Sequence, residues 1–356
     1  MVRQERRSTA TWSGKAAVIS LVLLALFFLL PLLMLPGEET RPDAPPRPTA
    51  TLPTLQAPDV SAGPTAAAIA PIPGADAAET IRLRRSDGSV EELRLDDYLW
   101  GVAAAEMPAS FHSEALKAQV VCARTYCIHQ RQNAPDKHPD ADVCTDFTCC
   151  QAYLTREQAA QSWGGEAGRY ADKISAAVRD TDGLLCLYNG APIDAVFFSS
   201  SAGRTSAAAE VWGADVPYLA AVDSPEGEEV PGWRTVVNFP AAEFITRFTT
   251  SCPQADFSGG PENWIQGLNT DASGAVSKVT IGGVEITGGQ ARTILGLRSA
   301  HFTAEATEEE VTFHVTGYGH GVGLSQYGAN ALAGEGKNFQ EILEWYYTGI
   351  TVGGCS

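Results

Sequence analysis

The run Gly101-Val-Ala-Ala-Ala-Glu106-Met-Pro108 sets one carboxylate among small and apolar residues. Loss of hydration in such surroundings favours the neutral acid, the form in which a glutamate can protonate a leaving group. A solvated glutamate at a helix end is the other reading of the same residues. A second helix, returning beside the first, carries Lys117, Gln119 and Arg124, polar groups able to contact whatever the carboxylate acts on.

A second group is His138, Cys144, Cys149 and Cys150. Three thiols and an imidazole make a complete tetrahedral set for zinc in a closed structural site. The spacing matches no standard finger, and adjacent cysteines need a special turn to ligate together. A disulfide from Cys144 to one of the pair, or unrelated buried thiols, are the alternatives. With four protein ligands no position is left for water, so such a metal braces the fold and serves no catalytic role.

Two loops could bind. Ser199, Ser200 and Ser201, ahead of Gly203, offer hydroxyls suited to sugar hydroxyls and N-acetyl groups. Trp212 could stack on a sugar face or fill a core. No local base accompanies the serines, so a serine nucleophile is not supported. The run 317–328, GYGHGVGLSQYG, presents His320, Ser325 and Gln326. It lacks the spacing of a dinucleotide loop and any Walker lysine. Its alternate glycines allow close approach of the backbone to a packed neighbour or to a ligand.

The elements that must position these residues follow from pattern. Asp96 or Asp97 is expected to cap a helix with apolar positions Leu99, Val102 and Ala103, and Pro108 ends it just past Glu106. Ser113 is expected to cap the second helix, opened by Glu114. A hairpin over 81–95 precedes them, turning at Asp87-Gly88. A third helix is expected over 172–181, then strands 184–188 and 193–199 about an Asn189-Gly190 turn. Strands at 276–281, 285–287 and 311–315 and helices at 290–297 and 339–347 complete the pattern, while 223–265 carries little signal. Helices and hairpins come in groups, which predicts α+β architecture with antiparallel pairs.

The chain has 356 residues and a formal charge of −17. Residues 1–36 carry +3 and 37–78 carry −3, leaving −17 on 79–356. A domain so acidic repels nucleic acid and anionic membrane surfaces. Residues 16–36 are uncharged and long enough to cross a bilayer, with basic residues before them and acids after. They predict a single-pass anchor within 1–36, a cytoplasmic N-terminus and an extracytoplasmic bulk. Residues 37–78 read as a proline-rich tether, able to reach on the order of 100 Å at full polyproline extension. Residues 79–356 form the expected globular domain.

Several motifs together resemble the stage II sporulation protein D family, related to LytB-type amidase enhancers. They are Tyr98-Leu-x-Gly-Val-x-x-x-Glu106-Met-Pro, Glu114-Ala-Leu-Lys-Ala-Gln-x-x-x-Ala-Arg-Thr-Tyr126 and the segments 144–153, 199–212, 217–219 and 317–329, ending at Ile342-Leu-x-x-Tyr346-Tyr. The resemblance implies a lytic transglycosylase held in the engulfing mother-cell membrane. It would cut between N-acetylmuramic acid and N-acetylglucosamine in strands stripped of stem peptides. It implies a sporulation amidase and a membrane partner of the engulfment complex as partners. The family's catalytic glutamate falls on Glu106, its basic residues near the cleft on Lys117 and Arg124, and its zinc ligands on His138, Cys144, Cys149 and Cys150. Cys149 replaces an expected histidine, while Phe198 and Ala202 replace the more usual tyrosine and glycine. The enhancer relationship implies an alternative, a wall-binding stimulator of an amidase that cuts nothing. A zinc amidase or peptidase ranks last, because a closed site leaves no position for catalysis.

Overall fold

The computed structural model describes residues 69–134 and 136–354. The expected anchor and most of the tether lie outside them, and among the described residues no helix is long and apolar enough to cross a membrane. The chain begins with a short helix α1 (Ala75–Ala78) and an antiparallel hairpin, β1 (Thr80–Arg84) and β2 (Val90–Arg94), in register from Thr80↔Arg94 to Arg84↔Val90. Helices α2 (Leu95–Glu106) and α3 (Ser113–Asn133) follow, then β3 (Val143–Cys144), which adds to β1 in parallel. Next come α4 (Arg156–Trp163), α5 (Ala167–Asp180), β4 (Leu184–Tyr188), β5 (Ala191–Pro192), β6 (Phe197–Phe198) and α6 (Ala208–Trp212).

The chain then builds a separate module: β7 (Arg234–Pro240), α7 (Ala241–Ser251), β8 (Ile265–Thr270), β9 (Val276–Ile281), β10 (Val284–Thr287), α8 (Gly288–Leu295), β11 (Phe302–Ala306) and β12 (Glu310–Thr316). It returns to the first body with β13 (Leu324–Ser325), α9 (Gln326–Gly334), α10 (Phe339–Tyr346) and β14 (Thr351–Gly354), the last pairing with β4. The architecture is α+β, mostly antiparallel, with short parallel pairs β1–β3 and β6–β13.

Two cores result. The larger surrounds α3, whose Leu116, Val120, Val121, Cys122, Ala123 and Cys127 are fully buried. A helix apolar on most of its circumference must be enclosed, and α2, α5, α9, α10 and β4 enclose it. The smaller core belongs to the module, where Phe244, Phe248, Val279, Ile281, Val311 and Phe313 pack between its two sheets and α7 and α8.

Local chemistry departs from expectation at the helix starts. Arg94 precedes α2 and no side chain caps it; instead the Leu95 N–H donates to the Glu79 carbonyl at 2.9 Å. Asp96 and Asp97 lie inside the first turn, where their charge suits the positive end of the helix dipole. His112, not Ser113, precedes α3, and its N–H donates to Asn330 Oδ1 at 2.8 Å. The end of α2 is as the proline requires, since Met107 before Pro108 is extended, with φ −126°.

The folded body also starts before Glu79. Residues 72–78, assigned to the tether on composition, are packed. The Ile72 N–H donates to the Asp182 carbonyl at 2.8 Å, and Asp76 is only 2% exposed.

Candidate functional site

Glu106 is the last residue of α2 and half-buried. The segment after the cysteine cluster is drawn against α2 because Gly101 has no side chain; a Cβ there would collide with the Tyr153 ring and the Leu154 carbonyl. The Leu154 N–H donates to the Gly101 carbonyl at 3.1 Å, and Tyr98 Oη donates to Gln151 Oε1 at 2.9 Å. With this segment fixed, the Ala152 N–H donates to Glu106 Oε1 at 2.5 Å. The Gln326 side chain lies near enough to lower the Glu106 carboxyl, and its Nε2 donates to Gln119 Oε1 at 3.2 Å.

Burial pushes the Glu106 carboxyl up to about 7, against the lowering effect of Ala152 and Gln326. Its place at the negative end of a helix acts in the same direction as burial. Near neutral pH the group therefore exists in both protonation states, as an acid that must later act as a base requires. Among the described residues, the buried Nε2 atoms of Gln119 and Gln151 meet no partner. Each is a donor that a bound acceptor would satisfy. Gln151 was missed in the sequence, where it reads only as the residue after a cysteine pair.

The two basic residues assigned to the cleft are engaged elsewhere. Lys117 lies two positions from Gln119, about 200° round α3. Its ammonium pairs with Glu114 at 2.9 Å and Asp180 at 3.7 Å. Arg124 is 1% exposed and meets Asp76 through Nε at 2.8 Å and Nη2 at 2.6 Å, while Nη1 donates to the Leu184 carbonyl at 3.0 Å. A fork closed on a buried carboxylate leaves nothing for Glu106, so Arg124 ties α1 to α3 and does not orient the acid.

The serine and glycine loops pack against each other. Gly317 and Gly323 have φ of 77°, and a Cβ at either would strike backbone carbonyls, of Ser200 and Val196 respectively. These glycines serve packing. Ser201 donates its N–H to Glu226 at 2.6 Å, and its Oγ accepts from Gly203 N. Ser325 caps α9, accepting from Gly328 N at 3.3 Å, and donates its hydroxyl to the same Glu226. Glu226, 3% exposed, also accepts from Ser224 Oγ at 2.5 Å and so locks both loops together. Sequence reading missed it, because its partners lie far apart along the chain.

His320 donates Nε2–H to the Phe197 carbonyl at 3.0 Å and accepts the Val322 N–H on Nδ1 at 3.2 Å. Burial pushes its pKa down to about 4, so it is neutral and offers no proton. Trp212 is 47% exposed beside it, with ring centroids 5.5 Å apart. Ser200, Ser201, Trp212 and His320 line a cavity that does not include Glu106. Ser199 contributes its carbonyl, which accepts from the Tyr327 N–H at 3.0 Å. Of the assigned residues, Gln119 and Gln326 join Glu106; the others form the second cavity or the scaffold.

His138, Cys144, Cys149 and Cys150 come together, with their ligand atoms within 4.8 Å of one another. His138 Nε2 stands 3.3 Å from Cys150 Sγ and 3.6 Å from Cys149 Sγ, close to the ~3.6 Å N–S edge of a zinc tetrahedron with Zn–N near ~2.05 Å and Zn–S near ~2.3 Å. The adjacent cysteines both point inward because the N–H groups of Cys149 and Cys150 donate to one carbonyl, that of Asp146, at 3.0 and 2.7 Å. All described cysteines are free thiols, so the disulfide alternative is not formed among them. The donor set fits a four-coordinate metal.

The sequence model described as "SpoIID: Stage II sporulation protein" matches residues 84–188, a span holding Glu106 and the whole cysteine cluster. The chain is 34% identical over 306 residues to a stage II sporulation protein D of Bacillus subtilis (strain 168), covering 80% of this chain and 84% of that one. It is 34% identical over 270 residues to that of Bacillus amyloliquefaciens, covering 76% and 77%. It is also 29% identical over 303 residues to an amidase enhancer of Bacillus subtilis (strain 168), covering 71% of this chain and 40% of that one. The chain belongs to the stage II sporulation protein D family.

Proposed function

We propose that the chain is a peptidoglycan lytic transglycosylase with Glu106 as its one acid and base. The observation that carries this reading is a lone half-buried carboxyl, pushed to about 7 and held between the Ala152 N–H and the Gln326 amide. Hydrolysis by paired carboxylates would need a second carboxyl some 5–9.5 Å away, and among the described residues no carboxylate figures among the groups that shift Glu106. Neutral Glu106 protonates the glycosidic oxygen as the bond to C1 of N-acetylmuramic acid breaks. The resulting carboxylate takes the proton from the C6 hydroxyl, whose oxygen closes onto C1. The product is a 1,6-anhydro sugar, no water is consumed, and Glu106 ends as it began. The Ala152 N–H and the Gln326 amide steady the carboxylate between the two transfers, and Gln119, whose Oε1 accepts from Gln326, holds that amide in place.

Residues 16–36 would hold this domain to the cell membrane as a single-pass anchor, N-terminus inside, in the cell that engulfs the forespore. A sporulation amidase that frees strands of peptide is the partner this chemistry calls for, together with a membrane partner of the engulfment complex. Zinc on His138, Cys144, Cys149 and Cys150 would ligate three thiolates and one imidazole and brace the loop that leads directly into Gln151 and Ala152. Stripping it with a strong chelator is expected to lower Tm and cut activity at least tenfold, both restored by added zinc. Metal analysis finding no zinc, with no effect of chelation, would remove the metal from this account.

The relative named an amidase enhancer favours a second reading, in which the domain binds wall and stimulates an amidase without cutting. Glu106→Gln separates the two. Stimulation by the variant, with no cleavage by either form, supports the enhancer; cleavage by wild type alone supports the transglycosylase.

A further inference from the structure

Between the serine and glycine loops and the inserted module lies a cavity of about 550 Å³. One wall holds Phe198, Trp212 and His320; the other is formed by β10 and the first turns of α8, including Arg292. Every described arginine except Arg292 and Arg298 forms an ion pair with a carboxylate. Arg298 instead lays its guanidinium over the Tyr318 ring at 4.3 Å. Arg292 donates Nε–H to the Arg298 carbonyl at 3.1 Å, and its remaining donors meet no acceptor among the described residues.

In a domain this acidic, a half-buried cation without a counter-charge is unusual, and it carries a desolvation cost that an incoming anion relieves. The two carboxylates bordering the same space do not neutralise it. Glu210 accepts from the N–H groups of Ala207 and Ala272 at 3.3 and 3.4 Å. Asp271 accepts from Ser273 N and Oγ at 2.8 and 2.6 Å and from Ala275 N at 3.0 Å. Lining the same cavity, the exposed Trp212 ring offers an apolar platform of sugar size.

We propose that this cavity is a subsite for a carboxylate-bearing sugar of the glycan strand, with Arg292 holding the carboxylate and Trp212 the ring face. It rests on the glycan reading above. The cavity and the Glu106 group share the glycine-rich loop, which supplies His320 to one and Gln326 to the other, so one strand could engage both. N-acetylmuramic acid with a free lactyl carboxylate fits this chemistry. A lactyl group joined by an amide to a stem peptide has lost that charge, so the subsite selects peptide-free strands.

The test uses full-length protein in a nonionic, non-sugar detergent. Binding is measured to peptide-free strands and to the same strands with their carboxylates methyl-esterified. Wild type is expected to bind the free acid about 10- to 100-fold more tightly than the ester, with a preference that shrinks as salt rises. Arg292→Gln is expected to bring free-acid binding down to the ester value, Arg292→Lys to keep part of the preference, and Trp212→Ala to weaken both strands alike. Equal wild-type binding of acid and ester overturns the subsite while leaving the glycan reading standing. That comparison needs no variant to fold. Binding and cleavage of neither strand sinks the glycan reading itself, and the subsite with it. Displacement by inorganic phosphate, without preference for acid over ester, would reassign Arg292 to a phosphate and overturn the sugar.

Discussion

Glu106→Gln is expected to lower the rate of strand cleavage by about 10²- to 10⁴-fold and, at the same time, to stabilise the fold at alkaline pH. The second effect follows from the raised carboxyl. Its ordinary value is 4.5 and its folded value about 7. Below 4.5 the group is protonated in folded and unfolded chains alike. Between 4.5 and about 7 the unfolded chain ionises this carboxyl while the folded protein keeps it protonated, so stability falls across that window and levels off above it. This costs the wild type up to about 3 kcal/mol. Glutamine carries no such cost and still accepts the Ala152 N–H. Thermal unfolding should therefore show the variant matching wild type near pH 4 and exceeding it at pH 8.5. A stability difference independent of pH would contradict a raised pKa. The cleavage rate of wild type should itself fall above pH 7, as the acid form is lost.

The second large effect concerns Asp76. Asp76→Ala is expected to destabilise the domain by about 3–5 kcal/mol, because it leaves the Arg124 guanidinium buried without a counter-charge. Replacing both partners with apolar residues of similar volume should recover most of that loss. Urea unfolding of the two variants measures the difference, and cleavage per folded molecule should remain at the wild-type level. Full stability with lost activity would return Arg124 to the catalytic machinery.

That pair also marks a limit of sequence reading. Asp76 sits in a stretch whose prolines and alanines look like tether, and nothing nearby announces a partner on a helix begun by Ser113. Glu226 was invisible for the same reason, since Ser201 and Ser325 meet it only once β6 and β13 are paired. Glu106 was legible because its neighbours in sequence are its neighbours in space, one turn of helix closed by a proline. The cysteine cluster was legible from ligand type alone, although the Asp146 turn that aims both adjacent thiols was not. Helix α4 was readable only from its Thr155–Gln158 capping box, because it buries Ala159 alone and so shows no apolar stripe. Caps at Asp96, Asp97 and Ser113 were misplaced by one to three residues because backbone and tertiary acceptors took the role.

In the proposed reaction a single carboxyl cuts the strand without water. Mass analysis of products from peptide-free glycan strands, with wild type and Glu106→Gln side by side, tests it most directly. Fragments ending in 1,6-anhydro-N-acetylmuramic acid are expected from the wild type and none from the variant. Reducing ends bearing an added water, or anhydro ends released equally by both proteins, would contradict that reaction.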